Sequence, residues 1–168
     1  MPVAIRYCAA MQHHTASLHL NSPDETCHLA QALAPVLRPG DVLLLSGGIG
    51  AGKTHFARCL ILASLEVPED VPSPTYTLVQ TYVGQTAEIW HADLYRLSNA
   101  TEVDELGLIE AFTTAICLVE WPDRLGDQVP ENALCLGFED GPDDDTRKLT
   151  LTWTDPIWET RLKEVLNA

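Results

Sequence analysis

Eight consecutive residues, Gly47-Gly48-Ile49-Gly50-Ala51-Gly52-Lys53-Thr54, fit the pattern G-x-x-x-x-G-K-[ST] without a mismatch. Before them, Asp41-Val42-Leu43-Leu44-Leu45-Ser46 is a short apolar run of the kind that forms a buried strand. After them, His55 to Ala63 reads as an apolar-rich helix. Strand, glycine loop and helix in this order is the context the pattern requires, so the motif constrains the fold as well as the chemistry.

Each residue type in the loop has a physical purpose. Gly47, Gly48, Gly50 and Gly52 lack a Cβ, which lets the backbone wind through positive φ and bring its N–H groups close to an anion. The N-terminus of the following helix stands behind those amides. Lys53 is placed to reach the terminal phosphates of a nucleotide, and the Thr54 hydroxyl to hold Mg²⁺.

The chain has 168 residues, enough for one domain, and 46% of them are hydrophobic. No stretch has the length of a membrane span. Residues 1–15 read as a disordered extension and 16–168 as one domain. The formal charge of −14, with only ten Lys and Arg, opposes stable binding to a phosphate backbone and suits solubility or a basic protein partner. The five cysteines, Cys8, Cys27, Cys59, Cys117 and Cys135, contain no C-x-x-C pair. They are expected to be free, mostly buried thiols in a reducing cytoplasm.

The remaining pattern alternates strands and helices. Ala16–Leu20 reads as a strand, and a helix capped by Asn21 or Ser22 follows to about Leu37. Arg38-Pro39-Gly40 ends that helix. A proline-broken loop spans 67–76. Thr77–Tyr82 and Glu88–Leu94 read as an antiparallel hairpin around Gly84-Gln85-Thr86. Helical segments cover 100–106 and 108–114. Ile116–Val119 reads as an inner strand, Asn132–Phe138 and Lys148–Trp153 as late strands, and Ile157–Leu166 as a terminal helix. Together these predict an α/β, three-layer, P-loop NTPase-like fold with a mixed central sheet.

A phosphate loop needs an acidic partner for its Mg²⁺ at the end of an apolar strand. Two residues qualify, Glu120 after Ile116–Val119 and Asp93 after Glu88–Ala92. Ser73 and Thr75, set among prolines, suit either a switch loop that senses a γ-phosphate or a simple connector.

Four segments in order resemble the TsaE (YjeE) family: Leu45 to Thr54, Ser73-Pro74-Thr75-Tyr76-Thr77-Leu78-Val79, His91-Ala92-Asp93-Leu94-Tyr95-Arg96-Leu97, and Leu118-Val119-Glu120-Trp121-Pro122. The similarity runs from about Leu20 to Leu151. It implies the ATPase subunit of the bacterial machinery that makes threonylcarbamoyladenosine at position 37 of tRNAs reading ANN codons. It also implies a TsaD–TsaB partner complex whose turnover is driven by ATP hydrolysis here. By the same resemblance Gly47, Gly48, Ile49, Gly50, Ala51, Gly52, Lys53, Thr54 and His55 contact the nucleotide, with Asp93 near the γ-phosphate. Thr54 and Glu120 bind Mg²⁺. Ser73, Thr75 and Thr77 belong to the switch loop, and Trp121 to the active-site region beside the catalytic Lys53, Glu120 and Asp93. Arg147 matches a late nucleotide-contacting arginine.

The chain departs from the family at Gly48 and Ile49, where Asp and Leu are usual. Loss of that Asp removes one negative charge beside the phosphates and bears on turnover more than on binding. The acidic composition points to contact with partner proteins and not with tRNA. A small-molecule kinase and a nucleotide-gated module without turnover are the competing readings. The first usually carries an Arg-rich lid, which is missing from this sequence, and no N-K-x-D segment for guanine is present.

Overall fold

The computed structural model describes residues 12–167. Its chain order is β1 (His14–Leu20), α1 (Pro23–Leu33), β2 (Val42–Gly47), α2 (Lys53–Ser64), β3 (Val79–Val83), β4 (Glu88–Asp93), α3 (Thr101–Asp104), α4 (Leu108–Ala111), β5 (Ile116–Glu120), β6 (Leu134–Asp140), β7 (Arg147–Trp153) and α5 (Pro156–Leu166). Short 3-10 segments cover Ala34–Val36 and Pro122–Gln128. No helix among the described residues is long and apolar enough to cross a membrane.

The seven strands form one sheet in the order β1-β7-β6-β2-β5-β4-β3. The centre is parallel, with β2 between β5 and β6, and β4 beside β5. Both sides are antiparallel, through β1–β7, β6–β7 and β3–β4. The expected mixed sheet and the β3–β4 hairpin are therefore present. Sequence pattern and position agree. β2 from Val42 to Leu45 and the whole of β5 are buried residue after residue, as strands covered on both faces must be. β1 alternates between partly buried and exposed positions because it lies at the rim.

Strand parity sorts the core into two layers. Leu43, Leu45, Ile89, Ile116, Leu118 and Leu136 pack with α1, α2 and α5 on one face. Val42, Leu44, Ala92, Cys117 and Val119 pack with Val103, Leu108 and Leu125 on the other. On the first face Phe56 of α2 meets Phe138 of β6 edge-on at 5.7 Å, which seats the helix beneath the glycine loop. Trp158 of α5 is fully buried and donates its indole N–H to the Asn132 carbonyl at 2.7 Å.

Several boundaries differ from expectation. The first strand starts at His14, two residues before Ala16, so Thr15 belongs to the sheet. The extension expected to be disordered, residues 1–15, is ordered into β1 at His14 and Thr15, while residues 1–11 lie outside the described residues. α1 ends at Leu33 and tightens into the 3-10 turn at Pro35; Ser22 is its cap, accepting from the Glu25 N–H at 3.2 Å. The third strand starts at Val79, because Leu78 takes a left-handed φ of 65°.

The cysteines also differ. Cys27 on α1 and Cys59 on α2 form a disulfide, where free thiols were expected. Cys117 is buried and Cys135 half-buried, both as thiols. Cys8 lies outside the described residues.

Candidate functional site

The glycine loop leaves β2 at Gly47 and enters α2 at Lys53. Gly47 has φ 140°, and a Cβ there would meet the Phe138 carbonyl oxygen at 2.5 Å, so the position admits no side chain. Gly52 turns into the helix at φ 106°. Gly48 is different: it has no left-handed φ, and a Cβ would find open space. Its glycine is not demanded by the backbone, contrary to the expectation that all four glycines serve the winding. Ile49 stands 80% exposed at the loop tip.

Lys53 folds back over this loop. Its ammonium donates to the Gly47 and Gly48 carbonyls at 2.8 and 2.7 Å and lies 4.3 Å from the centre of the Trp121 ring. Burial pushes its pKa below the ordinary lysine value, and the Glu120 and Asp93 carboxylates oppose that shift. Trp121 itself has left-handed backbone angles, φ 59° and ψ 55°, which cost about 1–3 kcal/mol in a bulky residue. The reversal turns its ring back onto Lys53, and Tyr95 packs on it at 4.8 Å between centroids.

Parallel pairing of β4 with β5 places Asp93 directly opposite Glu120. Both side chains fall on the α2 side of the sheet, in step with Ile89 and Leu118. Glu120 is 2% exposed and makes two contacts. Oε2 accepts from the Thr54 hydroxyl at 2.9 Å, and Oε1 accepts from His91 Nε2 at 2.8 Å. Asp93 accepts from the Tyr95 N–H at 3.0 Å and, at a long 3.5 Å, from the Thr75 hydroxyl. Thr75 in turn pairs with Ser73 at 2.7 Å. The structure thus brings together Lys53, Thr54, Ser73, Thr75, Asp93, Glu120 and Trp121.

The side chains of two expected site residues contact other elements, and a third, Arg147, meets the loop from its carbonyl side. The His55 ring contacts the Pro23 carbonyl of α1 at 2.9 Å. Thr77 accepts from the Gln80 amide at 3.2 Å, beside β3. Arg147 donates to the carbonyls of Ala51 and Gly50 at 2.9 and 3.2 Å, so its guanidinium braces the loop through its carbonyl side. His91 opens one of the four family-like segments but has no role in the site expected from sequence. Its signal was present: it stands two residues before Asp93, on the strand face that also carries Ile89.

A glycine loop at the start of an α-helix, a lysine, and a hydroxyl paired with a carboxylate all converge at the ends of β2, β4 and β5. The oxygen donors of Thr54 and Glu120 suit a hard divalent cation such as Mg²⁺. Fold and loop together define a P-loop NTPase-like α/β protein. The family model for "Threonylcarbamoyl adenosine biosynthesis protein TsaE" matches residues 20–149, and the chain belongs to this family. It is 37% identical over 142 residues to the tRNA threonylcarbamoyladenosine biosynthesis protein TsaE of Rickettsia bellii, covering 84% of this chain and 98% of that protein. Over 145 residues it is 34% identical to the protein of that name from Bacillus subtilis, covering 86% and 89% of the two chains. The crystal structure of Bacillus subtilis YdiB superposes with a TM-score of 0.78 at 28% identity, covering 94% of this chain and 98% of that one.

Proposed function

We propose that this chain is a Mg²⁺-dependent ATPase that serves tRNA threonylcarbamoyladenosine biosynthesis, acting on a TsaD–TsaB partner complex in the cytoplasm. The observation that carries the reading is the pairing of Thr54 Oγ1 with Glu120 Oε2 at 2.9 Å, beside the Lys53 ammonium and the glycine loop. Thr54 and Glu120 would hold Mg²⁺, which when bound neutralises charge on the β- and γ-phosphates. The loop amides and Lys53 bind the same phosphates. Lys53 reaches them by exchanging its Gly47 and Gly48 carbonyls for phosphate oxygens. Glu120 would also orient the attacking water, Asp93 opposite it would lie near the γ-phosphate, and Ser73 and Thr75 would report on the end of the triphosphate, a reading supported by their contact with Asp93.

Basal turnover is expected to be slow. Arg96 donates to the Tyr76 carbonyl at 3.2 Å and lies over the Tyr76 ring, while Arg147 is engaged by the loop carbonyls. An arginine supplied by a partner fits this arrangement. Contact with partner proteins in preference to tRNA follows from the net charge of −14. The test is phosphate release from ATP with and without TsaD and TsaB. Stimulated release without any acceptor is expected. Binding without release would support a nucleotide-gated module, and transfer to an added metabolite would support a kinase. A tRNA gel shift by this chain alone, at physiological salt, would overturn the charge argument.

A further inference from the structure

The described residues include one buried imidazole whose ring is tied to the site by a single contact. His91 is fully buried on β4, with Ile89 and Asp93 on the same strand face and Leu118 opposite it on β5. Its Nε2 lies 2.8 Å from Glu120 Oε1. Its Nδ1 is buried and has no hydrogen-bond partner. A packing role alone accounts poorly for this arrangement. A Leu or Phe would fill the same layer without desolvating a polar ring, which costs free energy unless its nitrogens are engaged.

We propose that His91 is a positioning residue for Glu120. A carboxylate only accepts hydrogen bonds, so Nε2 carries the proton and donates it to Oε1. With the proton there, Nδ1 is left as a buried acceptor without a donor, and the Nε2–Oε1 bond offsets that cost. With Oε1 held from below by the sheet, the carboxylate plane is set and Oε2 is turned to Thr54. A cation held by Thr54 and Glu120 would then find Oε2 oriented toward it while Oε1 stays engaged by His91. Partners of this kind behind a metal ligand typically change metal affinity by about 10–100-fold when removed. This inference rests on the Mg²⁺–ATP reading above and deepens it.

The test titrates Mg²⁺ into the protein with a fluorescent ATP analogue, for wild type, His91→Phe and His91→Gln. In Gln the side-chain amide N–H can take the place of Nε2–H. His91→Phe is expected to need about 10–100-fold more Mg²⁺ for half-maximal tightening. Its affinity for the analogue in EDTA is expected to stay within about twofold of wild type, and His91→Gln to recover most of the Mg²⁺ response. Equal Mg²⁺ dependence in wild type and His91→Phe would overturn the proposal, as would His91→Gln behaving like His91→Phe at equal Tm. Imidazole ¹⁵N NMR of the wild-type protein supplies a readout that needs no variant to fold. A proton on Nε2 is expected, and an Nε2 without a proton would overturn the assignment. A wild-type protein without any Mg²⁺-dependent tightening would sink the nucleotide reading itself. Intact tightening in wild type and in His91→Phe alike would sink only the role of His91.

Discussion

The Thr54 hydroxyl donates to a carboxylate oxygen of Glu120 at 2.9 Å across 66 residues of sequence. One group closes the glycine loop and the other ends β5. Their meeting depends on β2 and β5 lying side by side in parallel, with Leu45 opposite Glu120.

Removing either side of this site should produce different losses. Lys53→Ala deletes a charged donor, and such bonds are worth about 1.5–3 kcal/mol, so ATP affinity is expected to fall about 10–150-fold. Glu120→Ala is expected to retain ATP but to lose about 100-fold or more in turnover. Isothermal titration and single-turnover phosphate release separate the two. Normal hydrolysis by both variants would refute the site.

The glycines of the loop are not equivalent. Gly48→Ala is expected to raise stability by about 0.4–1 kcal/mol, since the native backbone accepts a side chain and the unfolded chain loses freedom. Gly47→Ala is expected to lower stability by more than that, because its Cβ would overlap the Phe138 carbonyl. Denaturant melts of the pair provide the comparison, and equal midpoints would contradict it.

Burial first, and the Glu88 charge second, push the Cys117 thiol up to about 12. At pH 8 its thiolate fraction is then on the order of 10⁻⁴, and the native protein is expected to leave Cys117 unmodified by a thiol-specific reagent. Full labelling should appear on unfolding. The sign for stability follows. Between the ordinary value of 9.0 and about 12, the native state keeps a proton that the unfolded chain releases, so this group makes stability fall as pH rises through that window. Rapid labelling of Cys117 in the native protein, seen by peptide mapping, would disprove its burial.

The disulfide between Cys27 and Cys59 closes a loop of sequence separation 32. Such a closure is worth about 3–4 kcal/mol. Reduction, or Cys27→Ser, is expected to lower Tm by about 7–15 °C while α1 and α2 stay packed. Calorimetry with and without a phosphine reductant measures this, and an unchanged Tm would show that the bond contributes nothing.

Parts of the fold were legible because they are local. The apolar run 42–45 can only be a covered strand, the Gly52-Lys53-Thr54 sequence can only start a helix after a sharp turn, and Pro23 behind Ser22 marks a helix start. The β3–β4 hairpin was legible from its turn residues. Boundaries slipped where tertiary contacts intervened. Leu78 is held in a left-handed conformation with its carbonyl accepting from the Asp93 N–H at 2.8 Å, so β3 starts at Val79, two residues after the expected Thr77. Thr15 joined the sheet because β7 offers it Thr152 as a partner.

The sequence by itself determined the glycine bend, the alternation of strands and helices, and the carboxylates that end two apolar strands. These depend on spacing and backbone freedom within a few residues. Only the tertiary structure decided which of the candidates converge. It set Asp93 opposite Glu120, sent His55 to α1 and Thr77 to β3, turned Arg147 onto the loop carbonyls, and buried His91 beneath Glu120. It also joined Cys27 to Cys59. Each outcome depends on strand register or on helices packing across one face of the sheet. Such contacts join residues far apart in the chain, and no local pattern carries their geometry.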